Sequence, residues 1–380
     1  MAFRKRNVTV GSSLASASTV IESTSGIPTS GVRPSPLTSQ PVTSTGAPSL
    51  DGLLGGHAGL ALGSSLLVEE SGSTDFSGAL LRYFAAEGIC QGHNVHIVGA
   101  GEQWVRELPG VSDDKGRDKH AKVAEEEKMK IAWRYERLGQ AGERALPDRG
   151  SSTTALGGTQ VTPFCHTFDL TKRLVAPPDA KISYIAISPS ATFDSILQSI
   201  SRSLDASSPN TVHRLIMPSM LSPALYPPTA GRPEHLLGFF RSLRALLRQH
   251  SGRLVAMITL PLELYPRNTA LVRWAESLSD GVFELTPFPH LMDASNALAE
   301  SGGARSGDEQ PQGMVKIHKL PINTERGEGG AGAGNSLGED LAFTVSRRKF
   351  VIKPFSLPPL EGDQEAQQEA GKLTAKDIEF

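Results

Sequence analysis

Residues 70–77, ESGSTDFS, have the length and setting of a phosphate-binding loop: an apolar run, SSLLVEE, precedes them and an amphipathic one, GALLRYFAAEG, follows. In a working loop of the form G-x-x-x-x-G-K-[ST], backbone N–H groups wrap the phosphates. The lysine neutralises the β/γ oxygens and the final hydroxyl helps to hold Mg²⁺. Here Glu70 replaces the first glycine, Asp75 the second and Phe76 the lysine, while Ser71, Gly72, Ser73 and Thr74 fill the middle and only Ser77 agrees. Phe76 carries no charge and no donor, so its ring is expected to pack under the following helix. Glu70 and Asp75 are expected to repel phosphate. A like charge about 4 Å away opposes binding by roughly 4 kcal/mol at an effective dielectric near 20, enough to remove most millimolar-range affinity. What remains favourable is Gly72, Ser77 and a helix N-terminus.

The other half of such a site is also missing. The strand RLIMPS places Pro218, followed by Ser219, where an aspartate should organise Mg²⁺, and proline deletes a backbone donor as well. These losses argue for no catalytic residue, no metal ligand and no cofactor in the isolated chain. ATP is then admissible only at a composite site completed by a neighbouring subunit.

Four other groups of residues invite chemistry. FCHTFDLT (164–171) brings Cys165, His166 and Asp169 close in sequence, but adjacent residues of a strand point to opposite faces and no second His/Cys cluster at zinc spacing accompanies them. A structural role is expected. TVSRRKFVIK carries Arg347, Arg348, Lys349 and Lys353, a concentration of positive charge at a sheet edge that suits nucleic-acid phosphates or protects the edge from aggregation. IAWRYE joins Trp133, Arg134, Tyr135 and Glu136, residue types favoured at interface hot spots and equally suited to anchoring an amphipathic helix. Arg4, Lys5 and Arg6 form a weaker basic arm.

The elements that must position these groups alternate. Strands are expected over 64–70, 93–100, 181–188, 212–219 and 253–261, and helices over 76–88, from Asp194 through Leu204, from Pro233 through Leu247 and over 271–278. Three more strands close the chain at 281–285, 314–320 and 341–352. This rhythm implies an α/β fold, a mostly parallel twisted sheet with helices on both faces and an antiparallel C-terminal extension. Residues 1–45 are rich in Ser, Thr and Pro and are expected to form a disordered tail, with the ordered domain at 46–356 and a flexible tail at 357–380. Low-complexity inserts are expected at 294–313 and 323–338, and 117–138 reads as a charged helical insertion. A net charge of −2 dictates no partner. Two cysteines suit a reducing compartment, and no run approaches the roughly 20 apolar residues of a membrane span.

The lead-in TGAPSLDGLLGG, with GLALGSSLLVEE after it, resembles the start of a RecA-like nucleoside-triphosphatase core. Together with GVRPSP, KMKIAWRYE, FCHTFDLT and GVFELTPF it is similar to the PAXNEB family, the fourth subunits of the Elongator complex, in a sequence of fungal type. The resemblance implies a RecA-like subunit of a six-membered ring built with the fifth and sixth Elongator subunits. Such a ring binds tRNA and assists a catalytic core that modifies wobble uridines, in cytoplasm and nucleus. It further implies that Lys316 and Lys319, on the strand MVKIHKL, face an adjacent subunit or RNA. Two rival readings are a divergent ATPase with composite sites that drives tRNA release, and a scaffold that never touches RNA.

Overall fold

Six parallel strands form one side of a nine-stranded sheet, and three antiparallel strands extend it to the opposite edge. A computed structural model describes residues 29–112, 162–190, 192–288, 311–321, 340–346 and 349–355. In chain order the elements begin with β1 (Val32–Pro34), β2 (Pro41–Thr43), α1 (Pro48–Leu53), β3 (Leu60–Ala61), β4 (Ser65–Glu70), α2 (Phe76–Cys90) and β5 (Asn94–Val98). They continue with α3 (Glu102–Arg106), β6 (Pro109–Val111), β7 (Phe168–Arg173), β8 (Ile182–Ile185), α4 (Thr192–Ala206), β9 (His213–Met217) and α5 (Pro233–Gln249). The last are β10 (Leu254–Pro261), α6 (Ala270–Leu278), β11 (Gly281–Pro287), β12 (Gly313–Lys319), β13 (Leu341–Val345) and β14 (Phe350–Pro354).

The sheet order is β14-β13-β12-β11-β4-β10-β9-β5-β8. β4 is central and buried over its full length, which is why its sequence reads as a continuous apolar run before the two glutamates. Its side chains alternate. Leu66 and Val68 join a core with Leu80, Leu81 and Phe84 of α2, whereas Leu67 joins a second core with α4, α5 and α6 on the other face. Within α5, Leu236, Phe239, Phe240, Leu243 and Leu247 are the buried stripe. The α/β fold, with helices on both faces and an antiparallel C-terminal extension, is the one expected.

Three expectations are corrected. The first concerns residues 29–45, expected to be disordered: β1 and β2 pair with β3 as a small antiparallel sheet. Polar anchoring, described below, supplies what apolar burial does not. The second concerns 341–352, expected to be one strand. It is the first part of a hairpin, with β13 and β14 pairing antiparallel from Leu341↔Pro354 to Val345↔Phe350. The third concerns Asp194, which lies in the first turn of α4 rather than before it, where its charge still complements the helix dipole. Arg4, Lys5, Arg6, the stretch 117–138 with IAWRYE, residues 323–338, most of 294–313 and the tail 357–380 lie outside the described residues.

Candidate functional site

β4 delivers residues 70–77 to the N-terminus of α2, the position a phosphate loop requires. Gly72 turns the chain at φ +92°, a backbone that only glycine adopts without strain. Its N–H donates to Glu263 Oε1 at 2.9 Å. The Glu70 carboxylate does not face a phosphate. It folds into the cradle itself. Oε1 accepts hydrogen bonds from the Thr74 hydroxyl at 2.6 Å and the Phe76 N–H at 3.0 Å. Oε2 accepts from the Ser77 N–H at 2.8 Å and the Ser77 hydroxyl at 2.6 Å. Glu70 is only 3% exposed. A negative charge, two backbone donors and a helix N-terminus thus meet without any ligand.

The other two replaced positions are also engaged. Asp75 pairs with Arg82 at 2.9 Å and is mostly exposed. Phe76 packs as expected: its ring meets Phe343 of β13 edge-on at 4.9 Å, and Phe343 in turn stacks on Phe350 of β14 at 5.6 Å. The position of the phosphate-binding lysine therefore ties α2 to the C-terminal hairpin. On the far side, Pro218 follows the end of β9, which β10 separates from β4. The Ser219 N–H donates to Thr259 Oγ1 of β10 at 2.7 Å, so neither residue presents a carboxylate to the loop.

The face of β4 opposite Glu70 carries a second acidic group. Glu69 is fully buried, aligned with Glu284 of β11. Arg267 forks onto Glu276 at 2.6 and 3.2 Å and reaches Glu69 only at 3.7 Å. Burial, reinforced by the Glu276 charge, pushes the Glu69 carboxyl up to about 8. Glu284 is paired with His318 at 2.7 Å.

The expected basic residues separate. Lys316 is exposed on β12, in register with Glu284. Lys319 is turned inward: its Nζ donates to the carbonyls of Ser277 and Ser279, capping the end of α6. Lys349 is exposed at the tip of the β13–β14 hairpin, where Ser346 N–H donates to its carbonyl at 2.9 Å. Arg347 and Arg348 lie outside the described residues. Lys353 is exposed on β14.

Sequence reasoning missed Arg214. It is fully buried on β9 and donates to the carbonyls of Ser44 and Phe84, to Thr43 Oγ1 and to His93 Nδ1 at 2.7–3.0 Å. Burial pulls its pKa down to about 10, opposed by the charges of Glu87 and Asp51. Asp51 accepts from Ser44, Thr45 and the Thr45 N–H. Glu87 accepts from the His166 N–H at 2.9 Å and faces His166 Nδ1 at 3.0 Å. Arg33 lies over the Phe164 ring at 3.6 Å. GVRPSP, STGAPSLDG and FCHTFDL, distant in sequence, therefore meet around one buried guanidinium. Cys165 and His166 pack into this network, whereas Asp169 accepts from the Thr171 N–H and hydroxyl at 2.9 and 2.5 Å. Burial raises both thiols, Cys90 and Cys165, to about 12, which favours the protonated thiol at neutral pH. Among the described residues no group of three or more His, Cys, Asp or Glu could hold a metal ion, and no helix is long and apolar enough to cross a membrane.

The fold and the loop together define an α/β chain in which the loop between β4 and α2 is filled by its own carboxylate. The family profile "PAXNEB protein" matches residues 25–380, and the chain belongs to that family. It is 36% identical over 342 residues to Elongator complex protein 4 of Schizosaccharomyces pombe, covering 85% of this chain and 86% of the relative. The Saccharomyces cerevisiae protein of that name is 31% identical, with 86% and 76% covered, and the Homo sapiens protein 28%, with 83% and 76% covered. Among solved structures, a KaiC-like protein from the hyperthermophilic archaeon Pyrococcus horikoshii OT3 covers 82% of this chain and 99% of its own, at TM-score 0.38 and 15% identity.

Proposed function

We propose that the chain is an accessory, non-catalytic subunit of the Elongator complex. In this reading it joins the fifth and sixth subunits in a six-membered RecA-like ring that binds tRNA and supports wobble-uridine modification by the catalytic core, in cytoplasm and nucleus. The observation that carries the reading is the match to relatives named Elongator complex protein 4 along 85% of the chain. The filled phosphate cradle agrees with it, because a subunit that does not hydrolyse nucleotide has no use for an open one. Lys349 at the hairpin tip, with the adjacent Arg347 and Arg348, supplies the cations for phosphate contact; Lys319 does not, being spent on the end of α6.

The test is tRNA affinity over a salt series, comparing the assembled ring with one carrying Arg347→Ala, Arg348→Ala and Lys349→Ala together. Each lost phosphate contact lowers the salt slope by about 0.7 to 0.9, so the triple variant is expected to flatten it by about two units, alike for different tRNAs. An intact ring with an unchanged slope would remove RNA contact from this hairpin.

A further inference from the structure

The Glu70 geometry goes beyond the absence of a catalytic lysine. A loop that has merely decayed leaves its donors to water. Here two backbone N–H groups and two hydroxyls converge on one carboxylate at 2.6–3.0 Å, and that carboxylate is shielded from solvent. These donors, the N-terminal N–H groups of α2 and the Ser77 hydroxyl, are of the kind that would otherwise wrap phosphate oxygens. The chain supplies the anion from the last residue of β4, the position at which a working loop carries its first glycine.

We propose that Glu70 is a resident surrogate for phosphate, which holds the loop and the start of α2 permanently in the anion-occupied conformation. Two consequences follow. The cradle in the native chain is closed to nucleotide by occupancy as well as by repulsion. And α2 needs no ligand to order its N-terminus: its position, and through Phe76–Phe343 that of the C-terminal hairpin, does not depend on nucleotide. A neighbouring subunit would therefore meet the same surface whether or not ATP is present. The proposal does not rest on RNA binding or ring membership, and it can stand or fall without them.

The chemistry left behind when the carboxylate is removed is that of an oxyanion site, so the probe is inorganic tripolyphosphate. Amide hydrogen exchange and thermal unfolding of the full chain should be measured for the wild type, Glu70→Ala, Glu70→Gln and Glu70→Ala with Ser77→Ala, each with and without millimolar tripolyphosphate. In the wild type the Phe76 and Ser77 amides should exchange slowly, and tripolyphosphate should change neither exchange nor melting temperature. In Glu70→Ala those two amides should exchange at least about tenfold faster, as expected for losing charged hydrogen bonds, and tripolyphosphate should restore part of the protection. Glu70→Gln, which keeps one acceptor oxygen, should be intermediate. Adding Ser77→Ala should abolish the rescue. Should Glu70→Ala fail to fold, the wild type and Glu70→Gln still decide. Fast exchange at Phe76 and Ser77 in the wild type, further slowing there on addition of tripolyphosphate, or Glu70→Gln amides as protected as the wild type's, would each overturn the proposal. A folded Glu70→Ala chain with unprotected amides that tripolyphosphate does not slow would overturn it as well.

Discussion

Glu70 and Glu69 are neighbours with opposite fates, because a strand sends successive side chains to opposite faces. Glu70 meets four donors, while Glu69 is buried beside Glu276 and Glu284 with a single distant cation. The linkage sign for Glu69 follows from its raised pKa. Between the ordinary 4.5 of an exposed glutamate and about 8 the unfolded chain releases this proton and the folded chain keeps it, so stability falls as pH rises through that window. Glu69→Gln should remove the slope and leave the protein more stable at pH 8, by an amount on the order of a few kcal/mol. Denaturant midpoints at several pH values would show it, and an unchanged slope would contradict it. His96 and His213 act in the other direction. Burial lowers them from 6.5 to about 4 and about 3, so they contribute stability that is lost as pH falls below 6.5. Arg214 is the position of greatest consequence for folding. Arg214→Met should destabilise by about 3–5 kcal/mol, because it leaves the carbonyls of Ser44 and Phe84 and the Thr43 hydroxyl without their buried donor and removes the positive charge that faces Glu87 and Asp51; a loss under about 1 kcal/mol in chemical denaturation would refute the hub. The isolated chain should not hydrolyse ATP above background, and a turnover abolished by Ser77→Ala would contradict that.

At the scale of elements, the hairpin β13–β14 hangs on aromatic contacts with α2. Phe343→Ala should cost about 3–5 kcal/mol, and a double-mutant cycle with Phe76→Ala should show coupling of about 0.5–1.5 kcal/mol from the edge-on pair. No coupling would mean that the two rings pack independently. The hairpin was legible in the sequence as a strand but not as two. Between Val345 and Phe350 the sequence carries none of the Gly or Asn that signals a reversal. The alternation of β4, α2, β5, β9, α5 and β10 was legible because each is long and periodic or continuously apolar. The small sheet β1-β2-β3 was not, since its order comes from Arg214, on β9, and from Phe164, which pairs with Arg33, both far along the chain. The losses at Glu70, Asp75 and Phe76 were legible by position. The capture of α2 by Glu70 was not, because residue types reveal charge but not where a carboxylate folds. The partners of Lys319 were not legible for the same reason: β12 places it beside the carbonyl end of α6, a contact set by tertiary packing alone.

At the scale of the whole molecule, the account assigns this chain to an assembly. Both faces of its sheet are already covered within the chain, by α2 on one side and by α4, α5 and α6 on the other. Trp274, on the outer side of α6, and Leu264, between β10 and α6, stand more than half exposed and are open to a partner. The measurement that bears most directly on the central claim is the native mass of this chain co-expressed with the fifth and sixth Elongator subunits of its own organism, with and without tRNA. The account predicts a six-membered assembly containing all three proteins, a further mass shift on adding tRNA, and no dependence of either on ATP. Recovery of this chain as a separate species while the other two assemble without it would contradict the account.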